Sequence, residues 1–206
     1  MADRQIVIVG GGGHAKVLVE ALRSQGCEPH GVIARTPAHP LGVSYLGDDR
    51  TFCLPPSDYA LVNGVGSIRP GPLRREIFDR FRGTGYCFVI VRHASAVLAC
   101  DAIIGEGVQL MAGCIVQPGV TIGANTIVNT RAAIDHDCVI GVDVHIAPGA
   151  VLSGGVSVGD GTHVGTGAVV VQGVAIGRQC LVAAGAVVVR DVPDGATVRG
   201  VPATIA

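Results

Sequence analysis

Stepping through the chain by six from Leu98 lands on Leu98, Ile104, Leu110, Val116, Ile122, Val128, Ile134, Ile140, Ile146, Leu152, Val158, Val164, Val170, Ile176, Val182 and Val188, sixteen aliphatic positions in a row. With about a third of residues aliphatic, chance would give this on the order of 10^-8 of the time in a fixed frame. Two residues before each lies a second register, running from Ala96 through Val108, Cys114, Thr126 and Cys138 to Ala186, in which every residue is small. Gly105, Gly123, Gly141, Gly159 and Gly177 recur at intervals of 18, or three hexads. Three short strands per turn of chain, each with one inward aliphatic, describe a triangular parallel β-helix of a little over five coils. The recurrent glycine marks one corner, where a positive φ is expected. An antiparallel sandwich would alternate with period two, and a glycine-rich linker would carry no phase-locked aliphatics.

The N-terminal third follows other rules. Residues 4–9 read as a buried strand and Gly10 to Gly13 as a turn; residues 14–25 read as a helix with Val17, Leu18, Ala21 and Leu22 inward, stopped by Gly26. Residues 31–34 and 59–62 read as further strands and 73–82 as a second helix. Strand, glycine turn, helix, strand is a βαβ unit, so a small Rossmann-like parallel sheet is expected over 1–88, with the helical coils over 89–206. Residues 89–95 lead into the coils.

Composition narrows the function. The 206 residues carry 15 Lys+Arg against 16 Asp+Glu and are 49% hydrophobic but only 3% aromatic. Disorder is excluded by the hydrophobicity, and nucleic-acid binding by the absence of a basic excess and of stacking rings. No apolar run reaches membrane-spanning length, and the opening residues lack a signal peptide's apolar stretch, so a cytoplasmic protein without membrane insertion is expected. The seven scattered cysteines contain no CxxC pair and read as reduced thiols; Cys114, Cys138 and Cys180 sit in the inward small register and read as core.

Gly10, Gly12 and Ala15 fit G-x-G-x-x-A, a weak motif alone. An NAD site would want an acid at the end of the second strand, where Ala34 and Arg35 stand, and a second mononucleotide half for which there is no room. A nucleotide-bearing substrate, with phosphate at the helix start and Arg35 as charge partner, and a merely structural turn both remain. In the coils, His136 lies between Asp135 and Asp137, a pattern that suits a general base oriented by a carboxylate and also an ordinary surface. His145 and His163, 18 apart, should stack about 5 Å apart on successive coils. With His136 they admit a metal reading, but spacing offers no fourth ligand, and no metal is expected.

VGGGGHAK near the start, the sixteen hexads, the run from Asn129 through IDHDCVIG to HIAPGA, and the closing VVVRDVPDGATVRGVPA resemble the bacterial sugar O-acyltransferase/sialic acid O-acetyltransferase family. Within it the sugar-nucleotide N-acetyltransferases look most similar. The resemblance covers nearly the whole chain and implies a left-handed β-helix and an acetyl-CoA-dependent transfer to the amino group of a nucleotide-linked amino deoxysugar. O-acetylation of a sialic acid or other sugar hydroxyl is the alternative. It also implies a homotrimer with active sites between subunits and a part in cell-surface polysaccharide biosynthesis. The family's general base falls on His136 and the acid that raises its basicity on Asp137. Asn129, His145, Gly154, Thr166 and Ala184 match positions along the acetyl-CoA site, and Gly12, Gly13, His14 and Gly66 match positions around the substrate's nucleotide. Ala34-Arg35 departs from the acidic pair that relatives tend to carry there.

Overall fold

The computed structural model describes residues 4–206; the first three residues of the expected 1–88 segment lie outside the described residues. Strand β1 (Gln5–Val9), helix α1 (Gly13–Arg23), β2 (Gly31–Ile33), β3 (Tyr45–Gly47), β4 (Tyr59–Asn63) and helix α2 (Leu73–Gly83) follow in order. The four strands form one parallel sheet in the order β3-β2-β1-β4. Strand β1 is central because Val7, Ile8 and Val9 are apolar on both sides, and helices pack over both faces of the sheet. Helix α1 buries Ala15, Leu18, Val19, Ala21 and Leu22. Val17, expected inward, is 40% exposed and lines a cavity described below; Val19 takes its place in the core. Strand β3 has no counterpart in the sequence reading, being three half-buried residues at the sheet edge with no period to betray them.

The remainder is a parallel β-helix on three faces, its strands two residues long except for Thr197–Arg199. The first face runs Val91–Arg92, Gln109–Leu110, Ile127–Val128, His145–Ile146, His163–Val164, Leu181–Val182 and Thr197–Arg199; the second runs from Val97–Leu98 to Val187–Val188, and the third from Ile103–Ile104 to Ala175–Ile176. Every pairing between coils is offset by 18 residues up to Val187–Val188, as in Ile127 with His145 and Ala133 with Val151. Within the lead-in over 89–95, Val91–Arg92 already pairs with Gln109–Leu110. From Leu110 to Val188 each sixth residue is buried in a single core together with the small register. Leu98 and Ile104 are partly buried and pack against that core.

The corner glycines have a different cause from the one expected. Gly105, Gly123, Gly141, Gly159 and Gly177 do not have positive φ. A Cβ at Gly123 would lie 2.6 Å from the backbone of Gly141 and Val142, and one at Gly105 2.7 Å from the Ala124 nitrogen, so close approach of successive coils excludes a side chain. Positive φ recurs instead every six residues, from Gly107 to Gly185, and five of these places hold other residues: Asn125, Arg131, Asp137, Asp143 and Gln179. The left-handed turn belongs to the hexad; three of the five non-glycine residues that meet it, Asn125, Asp137 and Asp143, have the short polar side chains that tolerate this region, and Arg131 and Gln179 adopt it as well.

The N-terminal unit lies against the first face. Met111 and Val91 join the core of α1, Ala124 packs against that of α2, and Arg82 pairs with Glu106 at 3.1 Å. The second face is left uncovered, with Val97 58% and Val151 40% exposed.

Candidate active site

Two joined cavities open where the N-terminal sheet meets the corner between the first and second faces. The lower one, of about 480 Å³, is lined by Ser67, Asn129, His145, His163, Thr166 and Ala184 among others. The upper one, of about 670 Å³, is lined by Gly10 to Gly13, His14 and Gly66, and shares Ser67, Ile68, Asn129, His145 and Pro148 with the first. The structure therefore brings Asn129, His145, Thr166 and Ala184 together in one cavity and Gly12, Gly13, His14 and Gly66 in its neighbour.

The upper cavity is formed at the carboxyl ends of β1 and β4, where the strand order reverses and open α/β sheets bind ligands. Gly12 is the N-cap of α1, with φ −80° and ψ −166°; it makes no side-chain cap, and the first turn has no acid. The first backbone N–H groups of that helix are left for an external anion. A Cβ at Gly64 would lie 2.8 Å from the Gly10 carbonyl oxygen, so the two strand ends meet through glycine.

Buried polar groups hold this junction. Arg74 donates from Nε to the Asn125 carbonyl at 3.0 Å and from Nη1 to those of Asn63 and Val65, fixing the loop that carries Gly66 and Ser67. Burial pushes its pKa down to about 9. Gln109 donates from Nε2 to the Asn63 carbonyl at 2.8 Å, so its Oε1 accepts from His14 Nε2 at 2.7 Å. His14 thus presents an unprotonated Nδ1, and burial, with Arg74 nearby, lowers its pKa to about 4. His145 is 7% exposed, and burial, reinforced by His163, His14 and Arg74, lowers its pKa to about 3. His145 and His163 sit 4.8 Å apart, as expected, but edge to face at 80° rather than stacked. Among the described residues no group of three His, Cys, Asp or Glu is placed to hold a metal.

His136 stands elsewhere. It follows the second-face strand Ala133–Ile134, at the corner between the second and third faces, and lines neither cavity. Its Nδ1 donates to Asp137 Oδ2 at 2.8 Å, and Asp135 accepts from its backbone N–H at 2.8 Å, which leaves Nε2 free to act as a base toward the outside. Asp137, and then Asp135, raise its pKa. The corner is built around the pair. A Cβ at Gly154 would lie 2.5 Å from His136 Nε2, and one at Gly119 2.5 Å from Asp137 Oδ1, so glycine on the neighbouring coils leaves room for both. Gly154 therefore accompanies His136 and is not in the cavity of Asn129, His145, Thr166 and Ala184.

Arg35 is exposed and lines a further cavity of about 200 Å³ with Gly10, Gly11, Ala34 and Asp49. Acids do stand near the end of β2, but they come from the unforeseen β3. Asp48 is held down to about 2 by Arg50, with Arg35 adding to the effect, and buried Asp49 accepts from Arg80 at 2.7 Å. Ser67, Arg74 and Gln109 carried no sequence signal beyond, for Gln109, being polar at an outward place on the first face.

The family model "Bacterial transferase hexapeptide (six repeats)" matches residues 101–136. Across 100% of this chain and 98% of its own, a histidine-to-alanine variant of the GDP-perosamine N-acetyl transferase from Caulobacter crescentus, in complex with CoA and GDP-perosamine, is 39% identical with a TM-score of 0.92. The acetyltransferase domain of PglB from Neisseria gonorrhoeae, in complex with acetyl coenzyme A, is 34% identical over 100% of both chains with a TM-score of 0.92. WeeI from Acinetobacter baumannii is 26% identical over 98% of this chain and 100% of its own, with a TM-score of 0.82.

Proposed function

The chain belongs to the hexapeptide-repeat acyltransferases of the sugar-nucleotide N-acetyltransferase type and uses acetyl-CoA, and from that premise we propose that it acetylates the amino group of a nucleotide-linked amino deoxysugar. The observation that carries this reading is the pair of joined cavities, one at a helix N-terminus suited to phosphate and the other along the coils beside His145. Residues 1–88 would hold the nucleotide, and residues 89–206 the coenzyme. Gly12, Gly13, His14 and Gly66 would surround the diphosphate and sugar, with Arg35 beside the nucleotide. Asn129, His145, Thr166 and Ala184 would line the pantetheine path.

His136 is the general base. It removes a proton from the amine as nitrogen attacks the thioester carbon; the C–S bond then breaks and the electron pair leaves on sulfur, whose thiol pKa is near 8.5. Asp137 holds the imidazole with its proton on Nδ1 and stabilises the imidazolium that forms. Buried Cys114, Cys138 and Cys180 take no part, and burial raises the thiol pKa of Cys114 and Cys138.

Because His136 is one corner away from the cavities, the working site joins His136, Asp137 and Gly154 of one copy to the cavities of another. Between the two corners lies the second face, whose outward residues Val97, Ile115, Ala133, Val151, Val169 and Val187 form an apolar ladder at intervals of 18. Such a face supports a closed homotrimer with three equivalent sites. The seven unpaired thiols support a reducing, cytoplasmic setting. The experiment is a transfer assay with acetyl-CoA against GDP- and UDP-linked amino sugars and their hydroxyl analogues. N-acetylated product is expected; product from the hydroxyl analogues alone would turn the reading to O-acetylation, and no transfer to any of them would overturn it.

A further inference from the structure

Hydrogen-bond polarity can be followed through the junction of the two cavities. The Thr130 backbone N–H donates to Asn129 Oδ1 at 2.8 Å, which fixes the amide so that Nδ2 faces His145. That Nδ2 donates to His145 Nε2 at 3.0 Å. A ring nitrogen that accepts carries no proton, so the proton of this neutral imidazole is on Nδ1. Nδ1 lies 2.9 Å from Ser67 Oγ and donates to it. The Ser67 hydroxyl, having accepted, keeps its own hydrogen, and no group among the described residues takes it. Ser67 lines both cavities.

We infer that Ser67 is a catalytic residue whose hydroxyl donates a hydrogen bond to the carbonyl oxygen of the acetyl thioester, an inference that rests on the acetyltransferase reading above. As the amine nitrogen bonds to the carbonyl carbon, the C=O electron pair moves onto oxygen, and the Ser67 O–H stabilises that charge without giving up its proton. When the carbonyl re-forms, the C–S bond breaks and CoA leaves as thiolate. Thr130, Asn129 and His145 act behind it as positioning residues, holding the hydroxyl in the donating sense.

The test combines kinetics with a direct measurement of the tautomer. Ser67→Ala should lower kcat roughly 10- to 1,000-fold with both KM values within about threefold, while Ser67→Thr, which keeps the hydroxyl, restores most of the loss. Asn129→Asp replaces a donor by an acceptor; His145 then moves its proton to Nε2, and Nδ1 accepts from Ser67, consuming the hydroxyl. This variant should match Ser67→Ala, and the double variant should be no slower than either single one. Nitrogen-15 NMR of the intact protein should show His145 protonated on Nδ1 in the wild type and on Nε2 in Asn129→Asp. An Nε2-protonated wild-type ring, additive losses, wild-type kcat in Ser67→Ala, or an effect confined to the KM of the sugar nucleotide would each overturn the inference. The NMR arm needs no substrate. It therefore separates failure of the hydrogen-bond chain from failure of the acetyltransferase reading, which the wild-type transfer assay tests.

Discussion

Replacing Gly12 by Asp should stabilise the protein and weaken its grip on the nucleotide at the same time. Gly12 caps α1 in an extended conformation open to any residue, and a Cβ there meets nothing within 4 Å. Aspartate is a better N-cap than glycine by a few tenths of a kcal/mol, and its charge at the helix start adds about 0.3–1 kcal/mol. A gain near 1 kcal/mol raises Tm by about 2–4 °C in a chain of this size. The same carboxylate would stand about 5 Å from a phosphate at the turn, where Coulomb repulsion per unit charge is about 1 kcal/mol at bulk dielectric and about 3 at an effective constant of 20. For two phosphate charges the loss is about 2–6 kcal/mol, or roughly 30- to 20,000-fold in affinity. Gly12→Asn supplies the cap without the charge and should lose less than about tenfold. Thermal unfolding and calorimetric titration with GDP and UDP measure both sides. A Tm that rises while nucleotide affinity stays at the wild-type value would refute phosphate docking at the glycine turn.

Other consequences concern the base and the corners. The raised pKa of His136 puts the acidic limb of kcat/KM above 6.5, activity appearing as pH rises and the imidazole loses its proton. Asp137→Asn should move that limb to lower pH and reduce the plateau, and His136→Ala should lower kcat by about 10^2 to 10^4; a pH–rate profile unmoved by Asp137→Asn would remove the carboxylate from this role. Gly123→Ala forces a Cβ into the backbone of the next coil and should cost about 3 kcal/mol. Gly113→Ala, at φ +66° with Arg131 Cγ at an ordinary 3.5 Å, should cost only about 1–2 kcal/mol, so Tm should fall much further in the first variant.

The β-helix was legible because its core repeats: from Leu110 to Val188 the places named by a step of six are buried, and the small register lies beside them. His136 and Asp137 were legible as a polar break in that pattern. Their separation from the two cavities was also available by counting, since residues 136 and 154 share one place in the coil of 18, and Asn129, Ala147, Gly165 and Ala183 share another. What stayed hidden depends on contacts between distant segments. Ser67 meets His145, 78 residues away, and His14 takes its tautomer from Gln109, 95 residues away. Strand β3 is three half-buried residues at the sheet edge, too short for a local pattern to reveal it or the acids that follow it. The corner glycines were found for the wrong reason, because a regular interval cannot distinguish a demanded φ from a demanded absence of Cβ.

Acetyl transfer at sites shared between copies is tested most directly by mixed assembly. His136→Ala lacks the base but keeps its cavities, whereas Gly12→Asp keeps the base and spoils the nucleotide turn. Co-assembled one to one and assayed with acetyl-CoA and an amino-sugar nucleotide at a concentration too low to serve Gly12→Asp, half the bases meeting half the cavities should restore about a quarter of wild-type activity. Activity no higher than that of the two variants kept apart would contradict a shared site.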